Sequence, residues 1–308
     1  MRYMKRVALL SLFIVFLSVV GLATSIQARE YYSGKVFTGK FIRVGINDYG
    51  VFGVWDEGLG ATGFQYPIGG EYESLAVGWW GDGWSVFYGN VRAGFSPHDG
   101  AWGTIEGVMP KVSTTPTRDG YIHTIVMNTS DRQLQIAFKF RFYNDKKFVS
   151  VVMFVKNIGG SVVSDLEVKK IVDWDVWMPY IGDFSNYWGM DNVRRPSLNL
   201  AVAFINSSII PGVPSVYMGF ASLEKPTNYD LNWDSYKYRG IYDPVKTSLT
   251  SDGKASVWED YCVVYQWVLG QLKPGETKVI HMVYAAGDNL RELEYNAAAG
   301  LRFAKTMK

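Results

Sequence analysis

Between residues 134 and 142 the chain alternates: Leu134, Ile136, Phe138, Phe140 and Phe142 are apolar, with Gln135, Ala137, Lys139 and Arg141 between them. A period of two predicts a strand with one face in a core and one mostly polar face. Residues 148–155 are apolar on both faces and rich in β-branched side chains, which predicts a central strand. The polar turn Asn144-Asp145-Lys146-Lys147 separates the two, so they form an antiparallel hairpin. Asn157-Ile158-Gly159-Gly160 then turns the chain into an apolar run over 162–172, and the expectation is a three-stranded meander.

The same signals predict strands over 36–46, 50–55, 74–80, 84–88, 121–127, 200–205, 216–221, 257–269 and 277–285. Lys273-Pro274-Gly275-Glu276 supplies a fixed φ followed by a permissive one, and is expected to join the last two into a second hairpin. One amphipathic helix is predicted over 288–305, capped by Asp288, with Leu290, Leu293, Ala297, Leu301 and Ala304 at steps of three and four. About a dozen strands and one terminal helix give a mainly β protein, an antiparallel β-sandwich. Half of the 32 glycines fall between Gly45 and Gly107, so that section is dense in turns. Two stretches, 174–199 and 223–256, lack alternation and are rich in Tyr, Trp, Asp and Asn, the composition of ordered functional loops.

Residues 1–28 have the form of a secretory signal: Arg2, Lys5 and Arg6 precede an uncharged apolar run from Val7 to Ala23, and small residues follow. The run is also close to the shortest that spans a bilayer, so an uncleaved signal anchor is the alternative. Either way the expected location is secreted or at the cell surface, with residues 29–308 as one large domain. Removing the leader's three basic residues from 31 leaves one fewer than the 29 acidic ones, with no basic block. Nucleic-acid binding is therefore excluded on electrostatic grounds. The single cysteine, Cys262, lies in an apolar β-type run and is expected as a buried thiol. Scarce Cys and Gln fit a thermophilic source.

The segments FVSVVMFVKNIGG from Phe148, LEVKKIVDWDV from Leu166 and WVLGQLKPGETKVIHMVYAAG from Trp267 together resemble a known kind of module. They are similar to the supersandwich β-domains that accompany catalytic domains in glycan-degrading enzymes, such as the amino-terminal module of glucodextranase-type glucoamylases. They also resemble uncharacterised exported β-sandwich proteins with an Asp-Trp-Asp after the central strands. The resemblance implies a sandwich fold in a sugar-handling setting. No α-helical catalytic barrel pattern accompanies it here, and no catalytic residue is carried over.

Three constellations carry candidate chemistry. Asp173-Trp174-Asp175-Val176-Trp177 continues through Asp183, Tyr187, Trp188 and Asp191. Asp173, Asp175 and Asp183 could offer oxygen ligands to calcium, or cap loop backbone donors and pair with Arg194 or Arg195. Glu71-Tyr72-Glu73 lies near Trp79, Trp80, Asp82 and Trp84. Two carboxylates on one strand face stand about 7 Å apart, within the range an inverting glycosidase uses. Core Trp beside surface Glu would give the same text. Tyr229, Trp233, Tyr236, Tyr238 and Tyr242 alternate with Asp and Asn, as in a stacking platform for sugar rings or an aromatic packing surface. His98, His123 and His281 are scattered, and no zinc, serine-hydrolase or nucleotide motif is present.

The leading expectation is an exported, non-catalytic protein that binds polysaccharide through aromatic loops, at Trp174, Trp177, Tyr187, Trp188, Tyr229, Trp233 and Tyr236. The alternative is a self-associating subunit of a surface layer or filament. A third reading is a glycoside-cleaving enzyme that uses Glu71, Glu73, Asp173 or Asp175.

Overall fold

The computed structural model describes residues 33–69, 72–75, 81–97, 100–177, 186–190, 198–232, 257–259 and 262–308. The leader, Glu71, Trp79, Trp80, His98, Asp183, Asp191, Arg194, Arg195, Trp233, Tyr236, Tyr238 and Tyr242 lie outside them, as do the side chains of Tyr187 and Trp188. Among the described residues no helix is long and apolar enough to cross a membrane.

Two antiparallel sheets face each other across one core. The larger runs β18 (Val257–Glu259), β14 (Asn186–Met190), β15 (Leu200–Ile205), β16 (Val216–Ser222), β20 (Thr277–Gly287), β12 (Phe148–Asn157), β11 (Leu134–Tyr143), β10 (Gly120–Asn128), β9 (Lys111–Thr117). The smaller runs β17 (Asn228–Asn232), β19 (Cys262–Leu272), β13 (Val163–Val172), β6 (Asp82–Tyr88), β7 (Val91–Ser96), β8 (Gly100–Gly103). Near the start of the described chain, β1 (Gly34–Thr38), β2 (Arg43–Asn47) and β5 (Phe64–Gln65) form a third small sheet, and β3 (Val54–Asp56) pairs with β4 (Gly60–Thr62). Phe52 and Phe64 from this section join the core beside Phe140, Trp174 and Tyr284.

The sandwich and its alternating strand are as the sequence predicts: Leu134, Ile136, Phe138, Phe140 and Phe142 are all buried in the core. The connections differ. β12 pairs with β20, and β13 crosses to the smaller sheet between β19 and β6, so there is no three-stranded meander. The Pro274-Gly275 turn likewise carries the chain from β19 in one sheet to β20 in the other, and is no hairpin. The two crossings sit side by side and share Asn157. Its Nδ2 donates to the carbonyls of Ser161 and Leu272, at 2.8 and 2.9 Å, and its backbone carbonyl accepts from Gly275 N. Local alternation cannot distinguish a hairpin from a corner, because both need a tight polar turn between two apolar runs.

Other boundaries move as well. The run 36–46 is two strands joined at residues 39–42, and Ser74 and Leu75 lie outside any strand. Both aromatic stretches expected as loops contain a strand, β14 and β17. The helix α1 (Leu290–Ala304) is capped by Asn289, whose side chain accepts from Glu292 N; Glu292 in return accepts from Asp288 N. Asp288 is instead tied to Tyr66 and Lys147. α1 lies on the outer face of the larger sheet with Leu293, Ala297 and Leu301 buried against Leu200, Val283 and Phe148. Gly300 permits that approach, since a Cβ there would stand 2.3 Å from Val283 Cγ2.

Candidate functional site

Strand β13 carries two adjacent lysines, and pleating sends them to opposite faces. Lys170 points between the sheets. Its ammonium stands 2.6 Å from Asp82 Oδ1, and Asp82 also accepts from Tyr284 Oη at 2.9 Å and Phe52 N at 2.9 Å. Burial raises the Asp82 carboxyl above its usual range, with Lys170 opposing the shift; burial also lowers Lys170 and raises Tyr284. This is a core tie whose donors and acceptors are mutually satisfied.

Lys169 points to the other side, the outer face of the smaller sheet. Register places one residue from each strand in a line across that face. Asn228 on β17 stands opposite Gln266 on β19, Gln266 opposite Lys169, Lys169 opposite Ser85 on β6, Ser85 opposite Gly94 on β7, and Gly94 opposite Trp102 on β8. Directly opposed residues share a face, so Asn228, Gln266, Lys169, Ser85 and Trp102 form a single polar row that ends on an indole. A bulge at Asp165 (φ 52°), close to Gly270 (φ 70°), sets the register just before this row.

The geometry within the row is specific. Asn228 Nδ2 donates to Gln266 Oε1 at 2.7 Å. Lys169 Nζ lies 3.3 Å from Glu167 Oε1 and 5.4 Å from the Phe87 ring centre, both residues belonging to the next row along. Ser85 Oγ is buried without a hydrogen-bond partner. Gly94 provides a bare floor: a Cβ there would stand 2.2 Å from Trp102 Cζ2, so only glycine lets the indole lie down on the sheet. Asp230 lies on the same face, two residues beyond Asn228.

Gln266, Lys169, Ser85, Glu167 and Asp230 are all buried, whereas Asn228 and Trp102 at the two ends are half-buried and Arg92 on the flank is exposed. Buried polar side chains on a sheet face directed away from the hydrophobic core are the informative kind of burial. Amides and hydroxyls that both donate and accept, beside an indole, are the inventory that meets a polyol with an apolar C–H face.

The residues singled out from sequence fare differently. Trp174 and Trp177 are fully buried in the core, where Trp174 packs on Phe64 and Trp177 on Tyr72, with the Trp177 Nε1–H donating to the Tyr66 carbonyl. Neither presents a face to a ligand, because a sandwich of this width needs its largest side chains as filler. Tyr229 is half-buried and packs against the core from β17, the side opposite Asn228 and Asp230. Glu73 is buried, and its two oxygens accept from the backbone N–H groups of Gly63, Phe64, Ser74 and Leu75 at 2.8–3.0 Å. It holds the turn-dense section together and is not a surface acid. Trp84 is core, with its Nε1–H on the Tyr49 carbonyl. Asp173 is half-buried and Asp175 buried, and among the described residues no three His, Cys, Asp or Glu side chains gather as a metal site. His123 and His281 lie on β10 and β20, with β11 and β12 between them, and do not converge. Cys262 is buried in strand β19, as expected.

The polar row was not among the sequence candidates. Its trace there is LEVKKIV, an apolar run interrupted by Glu167 and two consecutive lysines, and the lone Gln in CVVYQWVLG.

No family model and no curated protein matches this chain. Among solved structures, a bacterial glucoamylase complexed with acarbose superimposes over 89% of this chain and 35% of its own, at 10% identity and a TM-score of 0.53. The chain thus spans about a third of that enzyme's length. A galactose mutarotase related enzyme from Lactobacillus acidophilus matches over 82% of this chain and 97% of its own, with 9% identity and a TM-score of 0.40. A putative aldose 1-epimerase from Escherichia coli matches over 83% and 99%, with 10% identity and a TM-score of 0.37. At such identities the glucoamylase likeness is one of fold, and it agrees with the sandwich-module resemblance of the sequence.

Proposed function

We propose that this protein is an exported β-sandwich that binds carbohydrate without cleaving it, through the outer face of its smaller sheet. The observation that carries the reading is the row Asn228, Gln266, Lys169, Ser85, Trp102, whose central hydroxyl is buried with no partner. Supporting it is a fold shared with part of a glucoamylase that was complexed with acarbose. Export rests on the leader pattern of residues 1–28. Binding without cleavage is supported by Glu73, one of the carboxylates named as a candidate acid, whose two oxygens are engaged by four backbone N–H donors inside the turn-dense section.

The test passes the exported protein over immobilised polysaccharides and assays the same fractions for new reducing ends. Retention without sugar release is expected, with retention lost in Gln266→Ala and Trp102→Ala variants of unchanged circular dichroism. Retention that survives both substitutions contradicts the placement of the site, and released sugar contradicts the absence of cleavage.

A further inference from the structure

We propose that Asn128 carries an N-linked glycan and that Asn206 does not, an inference that rests on the export of the chain. The sequence holds two Asn-x-Ser/Thr motifs, Asn128-Thr129-Ser130 and Asn206-Ser207-Ser208, the pattern at which oligosaccharide is transferred to exported proteins. The motif does not separate the two, but their surroundings do. Asn128 is the last residue of β10. Pairing with β9 ends at Val126, opposite Lys111, so the strand neighbour of Asn128 is Gln135 on the β11 side. Gln135 Nε2 donates to Asn128 Oδ1 at 3.0 Å, which fixes the carboxamide, and among the described residues no acceptor engages its Nδ2. Asn128 and Ser130 are exposed, while Thr129 between them is buried. Thr129 Oγ1 donates to Asp131 Oδ1 at 2.5 Å and accepts from Leu134 N at 3.0 Å. The middle residue thus anchors the turn and leaves the acceptor amide and the serine hydroxyl at the surface.

Asn206 is half-buried and engaged at both ends of its amide. Its Oδ1 accepts from Ser208 N at 3.0 Å and Ile209 N at 3.2 Å, closing a local turn, and its Nδ2 donates to Tyr217 Oη at 3.3 Å. The Tyr217 ring is itself stacked on Phe204 at 4.8 Å, so a sugar on that nitrogen would crowd a packed side chain. At Asn128 the transfer forms a bond between Nδ2 and the first carbon of the sugar. It breaks the bond from that carbon to the phosphate of a polyprenol-linked oligosaccharide; the phosphate leaves with the electron pair, and one amide proton is released. Gln135, which shares the face of Asn128, alternates with the core residues Leu134 and Ile136. The glycan therefore stands on the outer face of the larger sheet, across the sandwich from the polar row, and leaves the row clear.

The experiment fractionates cells of the source organism, locates the full chain by immunoblot, and maps its tryptic peptides by mass spectrometry. The peptide 119–132 contains Asn128 and the whole of its motif. In chain from the cell surface or medium this peptide is expected to be heavier by a whole number of sugar residues, and the peptide containing Asn206 to have its unmodified mass. Asn128→Gln and Ser130→Ala are each expected to abolish the added mass; the second keeps Asn128 and its bond from Gln135, so it tests the motif and not merely the amide. An exported chain whose peptide 119–132 is bare overturns the inference while leaving export standing. Sugar on Asn206, or added mass that survives Ser130→Ala, overturns it as well. A chain found only inside the cell with its leader intact overturns the export reading and the inference together.

Discussion

Replacing Lys170 by Met removes the cation from the Asp82 tie at the centre of the core. The Asp82 carboxylate keeps three donors, Phe52 N at 2.9 Å, Gly83 N at 3.1 Å and Tyr284 Oη at 2.9 Å, so it is not stripped bare. It does lose the ammonium at 2.6 Å, in a position with no access to water. Breaking a buried pair from one side costs about 3–5 kcal/mol, and the remaining donors place this case near 3 kcal/mol. That is a large part of the roughly 5–15 kcal/mol that holds a typical domain folded. The loss depends on pH. Burial already raises the folded-state pKa of Asp82, and without Lys170 it rises further. A carboxyl with a raised folded pKa contributes fully below its unfolded value, and that contribution is lost as pH climbs. The penalty in Lys170→Met should therefore be small near pH 4 and grow by up to about 1.4 kcal/mol per pH unit above it. Urea unfolding between pH 4 and pH 8 measures this, and Asp82→Asn with Lys170→Met should restore most of the stability and flatten the profile. A single variant within about 1 kcal/mol of the native chain at every pH would refute the argument that this pair is desolvated.

His123 offers the opposite pH dependence. Buried between Phe37 and Phe140, with Nδ1 2.9 Å from Thr114 Oγ1, its pKa is pushed down to about 4 by desolvation. Its contribution is present above the unfolded value near 6.5 and is lost as pH falls towards 4, at up to about 1.4 kcal/mol per unit. The difference in urea midpoint between native and His123→Gln should shrink accordingly from pH 7 to pH 4.5. Glu73→Gln turns one of the acceptor oxygens into a donor that faces backbone N–H groups, and should cost about 2 kcal/mol in urea unfolding. Gly300→Ala gains helix propensity but drives a methyl into Val283, so a net loss of about 1–3 kcal/mol is expected, with altered near-ultraviolet circular dichroism.

The sandwich class was legible because alternation in 134–142 and the apolar runs of β12 and β20 state which residues must be buried together. The pairing of those strands was not, because whether a turn closes a hairpin or crosses to the facing sheet depends on partners far away in the chain. β12 takes β20 from more than a hundred residues on and leaves β13 to the other layer. The site was obscured for a related reason. Aromatic residues in loops drew attention, yet Trp174 and Trp177 are core filler. Asn228, Gln266, Lys169, Ser85 and Trp102 are spread over 85–266 and meet only through register. A pair such as Lys169-Lys170 does announce that both faces of a strand carry buried charge, but not which face serves a ligand.

The central claim, that sugar is bound at the Trp102 end of the polar row, is tested most directly by incorporating 5-fluorotryptophan and recording fluorine NMR spectra during titration with an oligosaccharide. The chain has 11 tryptophans, and a Trp102→Phe variant assigns the resonance that matters. The account predicts that the Trp102 signal moves with ligand while those of the buried Trp84, Trp174 and Trp177 stay in place. A Trp102 signal that is unchanged at saturation, with other resonances shifting, would contradict it and put the binding surface elsewhere on the sandwich.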